Sequence, residues 1–217
     1  MSKSFYTPIA PSFSRTRHSP WPEFDLLIPY LKTNSTLLDL GCGNGRLYKF
    51  LQKHKKVRYL GMDNNKALLA LAKKANSRAK FLLGDMAKIP SKSESFDIIA
   101  CVAAFHHLPS KKLRLKALSE MHRILKKNGT LFLTVWNLFQ PKYKKYIWHS
   151  RLRSLLSLGI MKPRDTLIPW SDSGVLRYYH AFTPRELERL LKKSGFTVIH
   201  EEIDRNLVYI CQKISKS

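Results

Sequence analysis

The segment that most constrains this chain is Leu37-Leu-Asp-Leu-Gly-Cys-Gly-Asn-Gly-Arg46. An apolar strand runs into glycines at alternate positions and then into a helix. Small residues let the backbone approach a ligand, and a helix N-terminus offers free N–H groups. The G-x-G-x-G spacing is neither the G-x-G-x-x-G of dinucleotide sites nor a phosphate loop, which needs G-K-[ST]. Alone, such a turn is also what a tight strand-to-helix connection requires. Two acids narrow the reading. Asp63 ends the next strand 22 residues after Gly41, and Asp85 ends the third strand another 22 on. A carboxylate after the second strand can accept both hydroxyls of a ribose. Asp85 can accept from the exocyclic amine of adenine, with Met86 against the ring. Asp39, just before the first glycine, is placed for an ammonium or sulfonium. Any one of these acids could equally be a strand-end cap, but ligands of parallel sheets bind at the carboxyl ends of strands. The candidate cofactor set is therefore Asp39, Gly41, Cys42, Gly43, Gly45, Asp63, Asn64, Asp85 and Met86.

The surrounding pattern alternates strands and helices, which implies an α/β fold, a parallel sheet with helices on both faces. Strands are expected at Thr36–Leu40, Val57–Met62, Ala79–Leu83, Phe96–Ala103 and Thr130–Trp136. Helices are expected at Arg46–His54, Lys66–Ala75 and Lys111–Lys127. The first 22 residues, with Pro8, Pro11, Pro20 and Pro22, read as irregular, and Glu23–Leu31 as a short helix. After Asn137 the rhythm breaks into a basic, aromatic stretch with a helix at Tyr143–Leu158 and a Pro/Asp/Ser-rich loop through Gly174. Thr183 as N-cap, Pro184 at N1 and Gly195 as stop frame a further helix. Thr197–Glu202 and Leu207–Gln212 read as the last strands. The division expected within one domain is a cover at 1–35, a cofactor-binding core at 36–136, an inserted segment at 137–181 and a C-terminal unit at 182–217.

Charge adds a partner class. Lys and Arg number 39 against 15 Asp and Glu, a net +24. Such a surface attracts nucleic acid or an acidic membrane face, because neutralised phosphates release counterions. No stretch of 18 apolar, uncharged residues occurs, so no transmembrane helix is expected. The N-terminus lacks a secretory apolar run; its acid-free, Ser/Arg-containing start has only a faint likeness to a transit peptide. Cys42, Cys101 and Cys211 form no CxxC pair, which fits a reducing, cytoplasmic compartment and argues against a metal site.

Asp39 to Gly45, Asp63, Gly84-Asp85-Met86, Ser95-Phe-Asp97 and the Leu125-Lys-Lys-Asn-Gly-Thr130 turn together resemble the class I S-adenosylmethionine-dependent methyltransferases. That resemblance implies a Rossmann-like, seven-stranded sheet whose last strand is antiparallel, and S-adenosyl-L-methionine as cofactor. The flanks are more specific. Ile9-Ala-Pro-Ser-Phe13, Thr16-Arg17, Pro20-Trp-Pro22, Phe105-His-His-Leu108, Arg114-Leu-Lys-Ala-Leu118, Val135-Trp136, Ile168-Pro-Trp170 and Arg177-Tyr-Tyr-His180 are similar to the tRNA wobble-uridine carboxymethyl methyltransferases. These form the methyl ester of 5-carboxymethyluridine in the anticodon loop. The family's usual ending, Asp-Arg/Lys-x-Asn-Trp, is here Asp204-Arg-Asn-Leu-Val-Tyr209, without the tryptophan. The resemblance also implies a small zinc-binding activator protein that covers an apolar edge. No membrane partner is expected.

An acceptor carboxylate is ionised at neutral pH, with a pKa near ~4, so no general base is needed. The protein must supply geometry and exclude water, and arginine suits the anion because its fork grips a carboxylate in two places. Arg17 and Arg177 are the candidates, with His106 and His107 after the fourth strand. Tyr6 and Trp21 are candidates to cover the cofactor. Trp136 and Trp170 are candidates to stack on a splayed base, with Tyr178, Tyr179 and His180 beside Arg177. Lys142, Lys144, Lys145 and Arg151, interleaved with aromatics, fit a single-stranded RNA platform. The same helix can instead bury Tyr146, Ile147, Leu152, Leu155 and Leu156 in the core. Two other classes stay open: a methyltransferase of small acidic metabolites, and a catalytically silent RNA-binding protein that keeps the fold.

Overall fold

The computed structural model describes residues 5–17, 19–156, 162–170 and 173–214. Its centre is a seven-stranded sheet. β1 (Thr36–Leu40), β2 (Arg58–Asp63), β3 (Lys80–Leu83), β4 (Phe96–Val102) and β5 (Leu125–Trp136) are parallel, and β8 (Phe196–Ile203) and β9 (Asn206–Lys213) complete it. The spatial order is β3-β2-β1-β4-β5-β9-β8, and β9 runs antiparallel to both neighbours. This is the expected architecture, including the reversed last strand.

The central strands are continuously apolar because both faces are buried. Leu38, Leu40, Ile99, Cys101, Leu131, Leu133 and Tyr209 face one core, shared with α4 (Lys111–Ile124) and α6 (Pro184–Lys193). Their alternates Leu37, Ile98, Ala100, Phe132, Val208 and Ile210 face the other, against α2 (Arg46–His54) and the 3-10 turn Pro22–Tyr30. Caps fix where helices begin. Asn65 accepts from the Leu68 N–H at 2.9 Å ahead of α3 (Lys66–Ala75), and Thr183 accepts from the Glu186 N–H at 3.2 Å ahead of α6.

Four expectations are corrected. First, the N-terminal stretch contains α1 (Ala10–Thr16); Pro11 sits in its first turn, where no intrahelical N–H is needed. Second, α4 stops at Ile124, since Leu125 already pairs with Phe96 of β4. Third, the stretch read as a loop through Gly174 contains β6 (Asp165–Pro169), which pairs antiparallel with β7 (Leu176–His180), just beyond it and not expected as a strand. Fourth, α5 (Lys144–Leu156) buries Ile147 and Ser150, whereas Leu152, Leu155 and Leu156 are exposed; positions 157 and 158 of the expected helix lie outside the described residues. The inserted segment has its own small core of Leu138, Ile147, Ile168, Tyr179 and Ala181.

The altered C-terminal motif forms a corner. Asn137 and Gln140 side chains donate to the Asp204 and Arg205 carbonyls at 2.9 and 2.8 Å. Asn206 donates to Glu23 at 2.5 Å. The motif thus ties the β8–β9 turn to the segment after β5.

Candidate active site

The glycine turn lies at the carboxyl ends of β1 and β2. Gly41, Gly43 and Gly45 all have positive φ, +77°, +55° and +75°. At Gly41 a Cβ would also lie 2.3 Å from the Ala104 Cβ, so a side chain there is excluded twice. The Gly41 and Cys42 N–H groups donate to the Met62 carbonyl at 2.7 and 3.1 Å. Asp63 accepts from the Gly43 N–H at 2.9 Å through Oδ2 and from the Asn65 N–H at 2.8 Å through Oδ1. It is half-buried; desolvation raises its pKa against the opposing pull of the Gly43, Asn65 and Asn64 N–H groups. Each oxygen keeps a lone pair for a ribose hydroxyl.

Asp85, at the end of β3, is exposed and accepts from the Ala87 N–H at 2.8 Å through Oδ1. Met86 is half-buried, its Cε 3.8 Å from where a Gly41 Cβ would stand. Asn64 is exposed at the same rim. Asp39 differs from expectation. Only 2% of it is exposed, and it accepts from the Tyr59 hydroxyl at 2.7 Å beneath the turn. Burial pushes its carboxyl up to about 7 despite that bond. The Cys42 thiol is pushed well above its usual range by burial and is inert.

The acceptor half is an aromatic cage around Arg177, which is 5% exposed. Its guanidinium carbon lies 4.8 Å from the Trp170 ring centre, 5.1 Å from Tyr179 and 5.7 Å from Trp136. The guanidinium of Arg17 lies 5.1 Å from the same Trp170 ring. The buried Arg177 Nε and the Tyr179 hydroxyl complete no hydrogen bond among the described residues. His106 accepts from the Trp136 N–H at 3.2 Å through Nδ1. His107 Nδ1 meets the Tyr178 carbonyl at 2.7 Å, so that nitrogen carries the proton and Nε2 accepts from the Tyr6 hydroxyl at 2.9 Å. Burial, with Arg177 nearby, lowers the His107 pKa to about 4, and burial beside His107 and Arg177 holds His106 well below the usual imidazole range. Both imidazoles are neutral at pH 7.

The N-terminal segment spans both halves. Phe13 packs over Gly43, and Asn44 donates to the Arg17 carbonyl at 3.2 Å. Asn65 donates to Thr7 at 3.1 Å, and Trp170 Nε1 donates to Ser12 Oγ at 3.0 Å. The sequence reading missed Ser12 and Phe13 as contributors. Trp21 stacks under Arg46 at 4.8 Å, on the α2 side.

Strand alternation divides the Arg177–His180 group. Arg177 and Tyr179 face the cage; Tyr178 and His180 face away. The Tyr178 hydroxyl donates to the Pro109 carbonyl at 3.3 Å. His180 sits between Asp165 at 2.6 Å and Glu186 at 3.0 Å, with Arg114 3.6 Å from Asp165 and Arg164 2.6 Å from Glu186. Burial would raise both carboxyl pKa values, but His180 and the arginines outweigh it and lower them. This ionic cluster ties the hairpin to α4 and α6, and neither Tyr178 nor His180 reaches the cage. The two tryptophans also differ from expectation: Trp170 is 8% exposed, and Trp136 stacks on Tyr143 and Tyr179 at 5.9 and 5.0 Å. Their rings serve the cage wall. Lys142, Lys144, Lys145 and Arg151 are all exposed on and before α5.

The methyltransferase-domain profile matches residues 38–133. A methyltransferase-named protein of Encephalitozoon cuniculi is 32% identical, over 96% of this chain and 93% of its own length. A tRNA (carboxymethyluridine(34)-5-O)-methyltransferase of Schizosaccharomyces pombe is 28% identical, over 93% of this chain and 90% of its own. A protein of the same name from Xenopus tropicalis is 29% identical over 96% of this chain, which spans only 40% of that protein. Among solved structures, an S-adenosylmethionine-dependent methyltransferase of Methanosarcina mazei superposes with a TM-score of 0.78 at 22% identity, over 91% of this chain and all of that one. A Haloferax volcanii methyltransferase complexed with its activator gives 0.71 at 16% identity, over all of this chain and 99% of that one.

Proposed function

This chain belongs to the S-adenosylmethionine-dependent methyltransferases, and from that premise we propose that it forms the methyl ester of 5-carboxymethyluridine at the wobble position of tRNA. The observation that carries the reading is the Arg177 cage: a buried guanidinium whose Nε completes no hydrogen bond, beside the Tyr179 hydroxyl, with Tyr6 facing both and Phe13 bridging Trp170 to the Gly43 turn. Buried donors without partners are costly unless a ligand completes them, and a carboxylate completes both. The names of the relatives support the same chemistry.

The residues fit the cofactor. Gly41 and Gly43 give a bare backbone, Asp63 would hold the ribose, and Asp85 with Met86 the adenine. S-adenosylmethionine, when bound, supplies an electrophilic methyl group. The chain's own groups do the rest. Arg177, with Arg17, binds and orients the acceptor carboxylate. Neutral His106 and His107 hold the floor, and His107 anchors Tyr6. Trp136, Trp170 and Tyr179 exclude water, which would otherwise compete for the anion. No side chain moves a proton, since the carboxylate is already ionised.

Exposed Leu82 (36%) and Leu83 (45%) on edge strand β3 form an apolar edge of the sort a small activator protein covers, and such a partner belongs to this reading. The zinc content of that partner is part of the proposal. No helix of the described residues is long and apolar enough to cross a membrane.

The test is transfer of labelled methyl from S-adenosylmethionine to tRNA from cells lacking the ester, with and without an activator protein, followed by mild alkali. Label that alkali releases supports the ester. Alkali-stable label, or label only on small acidic metabolites, overturns it.

A further inference from the structure

Helix α5 starts at the acceptor wall, where Tyr143 just before it stacks on Trp136. Its inner side is occupied by Tyr146, Ile147 and Ser150, the last donating to the Asp165 carbonyl at 2.6 Å. Its outer side carries Trp148, 67% exposed, then Leu152 at 45% and Leu155 at 76%. Spacings of four and three place these on one ridge. Exposed Lys144, Lys145 and Arg151 lie within one turn of Trp148. From Asn137 to Arg164 the sequence holds seven Lys and Arg and no acid. Whereas Trp136 and Trp170 are packed by the protein's own rings, Trp148 presents its ring to solvent.

We propose that this ridge is a shelf for unpaired nucleotides flanking the modified uridine, with Trp148 stacked on a base and Lys144, Lys145 and Arg151 against phosphates. The proposal rests on the tRNA reading above. Loop nucleotides are recognised by stacking their unpaired bases on aromatic side chains, and neighbouring cations neutralise the backbone. Leu152 and Leu155 extend the apolar surface along the strand. Placement favours RNA over other polyanions. Trp148 lies five residues beyond Tyr143, roughly 7–8 Å of helical rise. The ridge therefore lies within about two nucleotides' reach of a base placed at the cage. Charge agrees, since no acid on this stretch would repel phosphate.

The experiment compares the full chain with Trp148→Ala and Trp148→Phe, with activator where activity requires it. Trp148→Ala should raise KM for tRNA about tenfold or more, as expected for one unstacked base. The change should fall on KM, not kcat, with the salt slope of RNA binding unchanged, and Trp148→Phe should recover most of it. Circular dichroism checks that both variants fold. A KM for tRNA equal to wild type overturns the shelf. If the wild type methylates no tRNA, the enzymatic reading fails by itself, and binding of a single-stranded anticodon-loop oligonucleotide decides the ridge separately. Weaker oligonucleotide binding by Trp148→Ala supports it, and equal affinity overturns it. Sedimentation with phosphatidylserine vesicles that depends on Trp148, with KM for tRNA unchanged, assigns the ridge to a lipid surface and overturns the RNA occupant.

Discussion

Arg177 and Asp39 show how burial sets a residue's chemistry. Arg177 is enclosed by three aromatic rings, so its charge is screened little by solvent. Arg177→Ala should reduce kcat/KM for tRNA by about 10²–10³, the scale of removing a charge-assisted donor from a dry site. Arg177→Lys should recover little, because an ammonium lacks the planar fork; steady-state kinetics on both variants checks this. Asp39 works in the opposite sense. Its carboxyl is raised to about 7 by burial, so the folded state holds a proton that the unfolded chain releases near 4. The stability tied to that proton is complete below pH 4 and is lost as pH rises through 7. Asp39→Asn keeps an acceptor for Tyr59 and removes the penalty. Its melting temperature should fall less between pH 5 and 8 than that of the wild type, a difference worth roughly 3 kcal/mol across that range. Identical pH profiles in thermal melts would exclude Asp39 as the source.

At the scale of elements, the hairpin β6–β7 is held by its small apolar core on one face and by an ionic cluster on the other. Its outer residues Asp165 and His180 join Glu186 of α6 and Arg114 of α4, which is 2% exposed. Glu186→Gln leaves Arg114, Arg164 and His180 with one carboxylate among them. The expected destabilisation is about 2 kcal/mol, below the value for fully buried pairs because Glu186 is 21% exposed. Denaturant unfolding measures it, and methyl transfer should weaken with it as Arg177 gives up its fixed position. What sequence reveals about such elements is uneven. β1, β4 and β5 are apolar runs between polar turns and are readable directly. The Pro184 helix carries its own cap and stop. β6 and β7 are five residues each, bordered by Pro169 and Gly174, and their alternation is too short to stand out. α1 hides behind prolines that the first turn of a helix tolerates. Site residue types were legible for the same local reason: Asp63 and Asp85 end strands whose spacing is regular. Which side of β7 faces the aromatic cage was not, since that depends on the face the hairpin turns toward β5.

Over the whole molecule, +24 is a long-range field as well as a set of local attractions. Replacing Lys142, Lys144 and Lys145 together with Gln should weaken tRNA binding and reduce the slope of log K against log salt by about 2–3, near 0.7–0.9 for each phosphate that is no longer neutralised. Salt titrations by filter binding or fluorescence read that slope directly. An unchanged slope places the RNA face elsewhere. The N-terminal segment acts at this scale too. It lays Phe13 on the cofactor turn, lends Ser12 to Trp170, and fastens Tyr6 to His107. One segment in contact with both the cofactor turn and the candidate acceptor cage couples the two sites: a ligand that fixes it at one site changes the affinity of the other. That dependence is reciprocal by thermodynamic necessity: whatever factor the cofactor adds to the affinity for RNA, RNA adds to the affinity for the cofactor.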